Sequence, residues 1–153
     1  MTPLEAMQRV IKGDFVEGFP MKFPPGISLT IGFQPIAIDK GSATFRLDAS
    51  VDKHGNPMGT VHGGVFCDLA DAAMGMACAS LLAEGESFTT LELKMNFLRP
   101  VRDAALEARA KAVYGGKAMA YLECEVFVMP EEKLVAKASS TCLILRGDAA
   151  RGR

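Results

Sequence analysis

The chain has 153 residues, 49% of them apolar, and its 17 basic and 18 acidic side chains leave a net charge of −1. That length fits one domain with a real core, and the apolar share excludes wholesale disorder. The near-neutral charge excludes a general nucleic-acid binder, which would carry a basic footprint.

Residues 2–12 predict a short amphipathic helix, with Leu4, Met7, Val10 and Ile11 at helical spacing. Glu5, Arg9, Lys12, Asp14 and Glu17 leave no apolar run for a secretory leader, so the cytoplasm is the expected location. Gly13 to Gly26 is rich in Gly, Pro and Phe and reads as an irregular wrap over the surface. Ile27–Asp39 and Gly41–Ser50 read as two strands joined at Asp39-Lys40-Gly41; Ala43, Phe45 and Leu47 alternate with Thr44, Arg46 and Asp48. Val51–Val61 reads as a loop. The helix predicted from Gly63 to Ala83 is apolar nearly all round, so it needs burial on more than one side. Asp68 and Asp71 interrupt it, which favours a core helix over a membrane span. Strands are predicted near Phe88–Phe97, Ala104–Val113, Ala118–Val128 and Lys133–Leu145, as a four-strand meander turning at Gly115-Gly116 and Met129-Pro130. The expected architecture is an α+β domain: a curved antiparallel sheet wrapped around one long central helix, with a short N-terminal helix. Its boundaries are an extension over residues 1–26, the domain over 27–146, and a disordered tail over 147–153.

The chemistry gathers at Asn56-Pro-Met-Gly-Thr-Val-His62-Gly63-Gly64 and at Asp71 on the helix that follows. A helix start concentrates unpaired N–H groups and partial positive charge, and glycines there let a ligand approach closely. The pattern predicts a site where Gly63 or Gly64 polarises a carbonyl and Asp71 serves as nucleophile or base. Asp68 is the reserve acid. His62 positions the loop or takes part in proton transfer. Asn56 binds water or the acid, or makes an Asx turn before Pro57. Thr90 steadies Asp71 or is simply a strand residue. Cys67, Cys78, Cys124 and Cys142 show no C-x-x-C pattern and are expected to be reduced and buried. With His54 and His62 the only histidines, and His54 read as solvated loop, no metal site is expected.

Asp71 lies eight residues beyond Gly63, about 12 Å along a helix axis. Reacting atoms must come within about 3–3.5 Å. One chain therefore cannot complete the site. A two-fold dimer with antiparallel central helices would bring one subunit's Asp71 to the other's Gly63.

With the helix and its loop read together, residues 27–146 resemble the hotdog-fold acyl-CoA thioesterases. The branch they resemble includes the phenylacetate-pathway thioesterases and the human thioesterase superfamily members. The resemblance rests on Asn56 six residues before His62, on His62-Gly63-Gly64, and on Leu69-Ala70-Asp71. It also rests on the strand Thr90-Leu-Glu-Leu-Lys-Met-Asn-Phe-Leu-Arg99-Pro100 and on Gly115-Gly116-Lys117 with Leu134-Val135-Ala136. It implies a hotdog fold, Asp71 as the catalytic acid, Gly63 or Gly64 as the polarising amide, and Asn56, His62 and Thr90 as orienting groups. It further implies an acyl-CoA substrate, no separate cofactor, no nucleic-acid or membrane partner, and a homodimer or a dimer-of-dimers homotetramer. Coenzyme A brings phosphates, for which Lys117 and Arg99 are the candidate contacts. Met58, Met74, Met76 and Met95 either line an adaptable acyl pocket or pack in the core. A non-catalytic acyl-CoA binder and a hotdog hydratase or dehydratase are the alternatives.

Overall fold

In the computed structural model, which describes residues 1–18 and 22–151, the first helix α1 spans Pro3–Ile11. The Thr2 hydroxyl accepts from the Glu5 N–H and the Glu5 carboxylate accepts from the Thr2 N–H, a reciprocal cap that starts the helix where the periodicity predicts it. Met7 is buried against the domain core, and the Gln8 side-chain amide donates to the Ile38 carbonyl at 3.3 Å.

Two short helices replace segments that the sequence marks otherwise. Gly26–Ile31 is helix α2, not the first half of a strand. Its β-branched residues favour extended chain, but Gly32 in the left-handed conformation (φ 96°) closes the turn by donating to the Ser28 carbonyl at 2.7 Å. Strand β1 is therefore only Gln34–Asp39. Val51–His54 forms the one-turn helix α3 inside the predicted loop. The Val51 N–H is held by the Asp103 carboxylate at 2.8 Å, and the Ser50 N–H donates to His54 Nδ1 at 3.1 Å. His54 is accordingly buried, not solvated: its Nε2–H donates to the Ile31 carbonyl at 2.8 Å.

Strand β2 (Ser42–Ala49) buries Ala43, Phe45, Leu47 and Ala49, as its alternation predicts. The central helix α4 runs from Gly63 to Ala79. It ends four residues before the predicted Ala83 because the Ser80 hydroxyl donates to the Ala77 carbonyl and accepts from the Gly41 N–H, both at 2.7 Å. Four long strands follow: β3 (Ser87–Phe97), β4 (Ala104–Gly115), β5 (Met119–Met129) and β6 (Lys133–Leu145). They are not one meander. The antiparallel sheet runs β1-β2-β4-β5-β6-β3, so of these four strands β4, β5 and β6 are consecutive neighbours and β3 is set apart from β4. The stretch from Leu98 to Asp103 crosses from one side of the sheet to the other, anchored where the Val61 N–H donates to the Val101 carbonyl at 2.8 Å.

The sheet curves around α4, which touches all six strands. Leu69, Ala70, Ala73, Met74, Ala77 and Cys78 on the inner face of the helix are wholly buried. The outer face, with Asp68, Asp71, Ala72, Gly75 and Met76, stays partly open. Strand β3 is an edge of the sheet: one side pairs with β6, and no second strand among the described residues pairs with the other. Where a disordered tail is predicted, Gly147–Ala150 make a 3₁₀ turn, next to an Arg146–Glu86 ion pair at 2.7 Å. No helix among the described residues is long and apolar enough to cross a membrane.

Candidate active site

His62 caps α4, and its Nδ1 accepts from the Gly64 N–H at 2.9 Å. That bond fixes the neutral tautomer with the proton on Nε2. It also occupies the Gly64 donor. The Gly63 N–H has no hydrogen-bond partner among the described residues, so of the two predicted amides it is the one left free. The need for both glycines is steric. A Cβ on Gly63 would stand 2.9 Å from the tip of the Phe97 ring, and one on Gly64 3.0 Å from His62 Nδ1. Phe97 in turn meets Phe66 edge-on at 6.0 Å, closing the apolar side of the tip.

Asn56 is fully engaged in shaping the preceding loop. Its Oδ1 accepts from the Met58 and Thr60 N–H groups, and its Nδ2 donates to the Thr60 hydroxyl at 2.8 Å. These bonds make the Asx turn that the Asn56-Pro57 pair suggests.

Asp71 meets Thr90 across the gap between α4 and β3, where the Thr90 hydroxyl donates to Asp71 Oδ1 at 3.3 Å. Thr90 Oγ1 also lies 3.9 Å from the Cys142 sulfur. Asp71 reaches solvent in the single chain, yet the surrounding protein pushes its carboxyl above the usual aspartate range. Partial loss of hydration is the main cause and the Asp68 charge adds to it, while the Thr90 hydrogen bond acts the other way. Asp68 and Asp71 share the wall of a cavity of about 460 Å³, with Gly75, Met76, Phe88 and Thr90.

The chain therefore unites Asp71 with Thr90, and His62 with Gly63 and Gly64. It does not unite the two groups, which stay eight residues apart on one straight element. The candidate phosphate contacts are also separated. Arg99 follows Phe97 near the tip of α4, whereas Lys117 sits by Gly115, whose position abuts Leu81 beyond the other end of the helix. Both are exposed. Of the methionines, Met76 lines the cavity, Met74 is core, Met95 is half-buried and Met58 is 81% exposed. Phe23, Ile27 and Ser28, for which the sequence offers no motif, also line the cavity. All four cysteines are free thiols, and three of them are buried. Among the described residues no three His, Cys, Asp or Glu side chains stand close enough to hold a metal.

Residues 58–135 match the thioesterase superfamily. This stretch begins just after Asn56 and contains His62, Gly63, Asp71, Thr90, Arg99 and Lys117. A 1,4-dihydroxy-2-naphthoyl-CoA hydrolase of Listeria monocytogenes is 30% identical over 66% of this chain and 81% of its own. A conserved protein of Pseudomonas aeruginosa has a similar structure, with a TM-score of 0.73, 32% identity and coverage of 79% of this chain and 94% of that one. The PaaI protein of the E. coli phenylacetic acid degradation operon gives a TM-score of 0.74 at 25% identity, covering 81% of this chain and 87% of that one. The curved sheet around α4 is the fold these structures share. The chain belongs to the thioesterase superfamily and is a thioester hydrolase of the hotdog fold.

Proposed function

We propose that the protein hydrolyses acyl-CoA thioesters at sites shared between two copies, with Gly63 of one chain facing Asp71 of the other. The observation that carries this reading is the division of the machinery: a free amide donor at the tip of α4 and a carboxylate of raised pKa about 12 Å further along the same helix. Two features supply a route to pairing. From Phe88 to Phe97 the outer edge of β3 pairs with no strand among the described residues, and Leu91, Phe97 and Leu98 are exposed on or beside it. Ala72 and Gly75 keep the open face of α4 narrow, so that a second helix can come near. Joining two β3 edges antiparallel sets the two α4 helices antiparallel as well.

In that arrangement the Gly63 N–H and the helix dipole draw electron density onto the thioester oxygen. The partner's Asp71 then attacks the carbonyl carbon, expelling the CoA thiolate and leaving a mixed anhydride that water hydrolyses. Alternatively it takes a proton from a water that attacks directly. Either route requires the carboxylate form. Thr90 holds that carboxylate in place, His62 keeps the tip wound, and Asn56 shapes the loop leading into it. Arg99 and Lys117 lie at opposite ends of α4, so antiparallel pairing sets one chain's Lys117 at the same end as the partner's Arg99, where both can flank one CoA. No cofactor takes part; CoA arrives as part of the substrate. The dimer, alone or doubled into a homotetramer, works in the cytoplasm, consistent with its four free thiols.

Asp71→Asn tests this directly. A thiol-release assay over aryl and aliphatic CoA esters should show turnover reduced by roughly 10²–10⁴-fold with ester binding retained. Undiminished turnover would remove Asp71 from the chemistry. A native protein that binds these esters without cleaving any would instead be a binding module.

A further inference from the structure

Part of the cavity beside Asp71 is built by chain outside the stretch that matches the thioesterase superfamily. Phe23, from the approach to α2, and Ile27 and Ser28, from its first turn, line the same space as Asp71 and Thr90. Phe33, Phe45 and Phe88 give that space further aromatic surface. Ser28 stands out in this setting. Only 7% of the residue is exposed, and its backbone groups are used, the N–H by the Pro25 carbonyl and the C=O by the Gly32 N–H. Its hydroxyl makes no hydrogen bond among the described residues. A serine or threonine within a helix ordinarily bonds back to a carbonyl one turn earlier, as Thr30 does with Gly26 at 3.1 Å. Among the described residues no fully sealed side-chain oxygen or nitrogen lacks a partner, so the Ser28 hydroxyl keeps some open space beside it, and Ser28 lines the cavity.

We propose that the segment from Phe23 to Ser28 is the wall that sets acyl selectivity, and that the Ser28 hydroxyl is its polar contact. It selects an acyl group bearing a hydrogen-bonding substituent, a hydroxyl or a carbonyl, remote from the thioester. A near-buried hydroxyl left unpaired by a purely apolar ligand costs binding, whereas a ligand that supplies a partner recovers it. The inference rests on Asp71 being the catalytic carboxylate, because that makes this cavity the acyl site.

The test compares native protein and Ser28→Ala on two matched pairs of substrates. One pair is phenylacetyl-CoA and para-hydroxyphenylacetyl-CoA; the other is hexanoyl-CoA and omega-hydroxyhexanoyl-CoA. In the pair that fits the pocket, the native protein should favour the hydroxylated ester. Ser28→Ala should lower kcat/KM for that ester on the order of tenfold while the plain ester stays within about twofold. Equal losses on both esters, or no loss, would overturn the role of Ser28 and leave thioester hydrolysis standing. Failure of the native protein to cleave any of the four would overturn the underlying reading and this inference with it. Phe23→Ala probes the wall separately: KM should rise severalfold for every cleaved ester with kcat held. A native KM would show that the segment does not bound the acyl group.

Discussion

At the tip of α4 the chain is held from both sides, by His62 capping Gly64 and by the Phe97 ring against Gly63. About 12 Å along the same helix, the Asp71 carboxylate accepts one side-chain hydrogen bond among the described residues, at 3.3 Å, and has a cavity beside it. The first region is held by close contacts; the second opens onto a cavity. The contrast separates two requirements of thioester cleavage. A donor for a developing oxyanion gains from rigidity, since it then spends nothing on reorganisation. A carboxylate that must attack or take a proton gains from incomplete solvation, which raises its pKa, and from having few partners, which leaves a lone pair available.

The comparison can be broken at either end. Gly63→Pro should have the larger effect. It deletes the free N–H at the first helical position, where proline is accepted, and His62 already has the extended backbone (φ −63°, ψ 138°) that a following proline demands. The ring atoms must displace only the outer end of Phe97, which is 55% exposed. kcat should fall roughly 10²–10³-fold with the helical circular dichroism preserved. A fall below threefold would mean that another group binds the oxyanion.

A smaller effect, with a clear sign, is expected at the acid. In the proposed mechanism activity needs Asp71 ionised, so its acid limb should follow the Asp71 pKa and lie above the ordinary aspartate range. Thr90 lowers that pKa by donating to the carboxylate. Thr90→Val should therefore move the limb to higher pH and cost about two- to tenfold in kcat near its midpoint. Asp68→Asn removes a like charge and should move the limb to lower pH. Limbs that stay fixed in both variants would show that a different group titrates.

The sequence discloses the tip better than its surroundings. Local signals carry α1, the alternation of β2 and the start of α4 at Gly63, because each depends on neighbours along the chain. The offset between Gly63 and Asp71 already shows that one helix cannot supply both groups. What escapes is decided by distant contacts. His54 looks like solvated loop until α2 brings the Ile31 carbonyl to its ring. The β-branched run Ile27–Ile31 favours a strand until Gly32 closes it as a helix. The placing of β3 beside β6, not β4, has no local signature, yet it puts β3 at the edge of the sheet. The segment from Phe23 to Ser28 has no periodicity, so its place beside Asp71 shows only in three dimensions. Even the glycines differ from expectation: a Cβ at either would press on a neighbouring side chain, the Phe97 ring or the His62 imidazole.

The most direct test of the shared site mixes two inactive proteins. Co-expressed Asp71→Asn and Gly63→Pro chains, isolated as the mixed dimer with two different tags, contain one site carrying both defects and one carrying neither. With shared sites this hybrid recovers about half of the native turnover, although each parent is nearly inactive. A hybrid as inactive as its parents would place Gly63 and Asp71 of the same chain in one site and contradict the account.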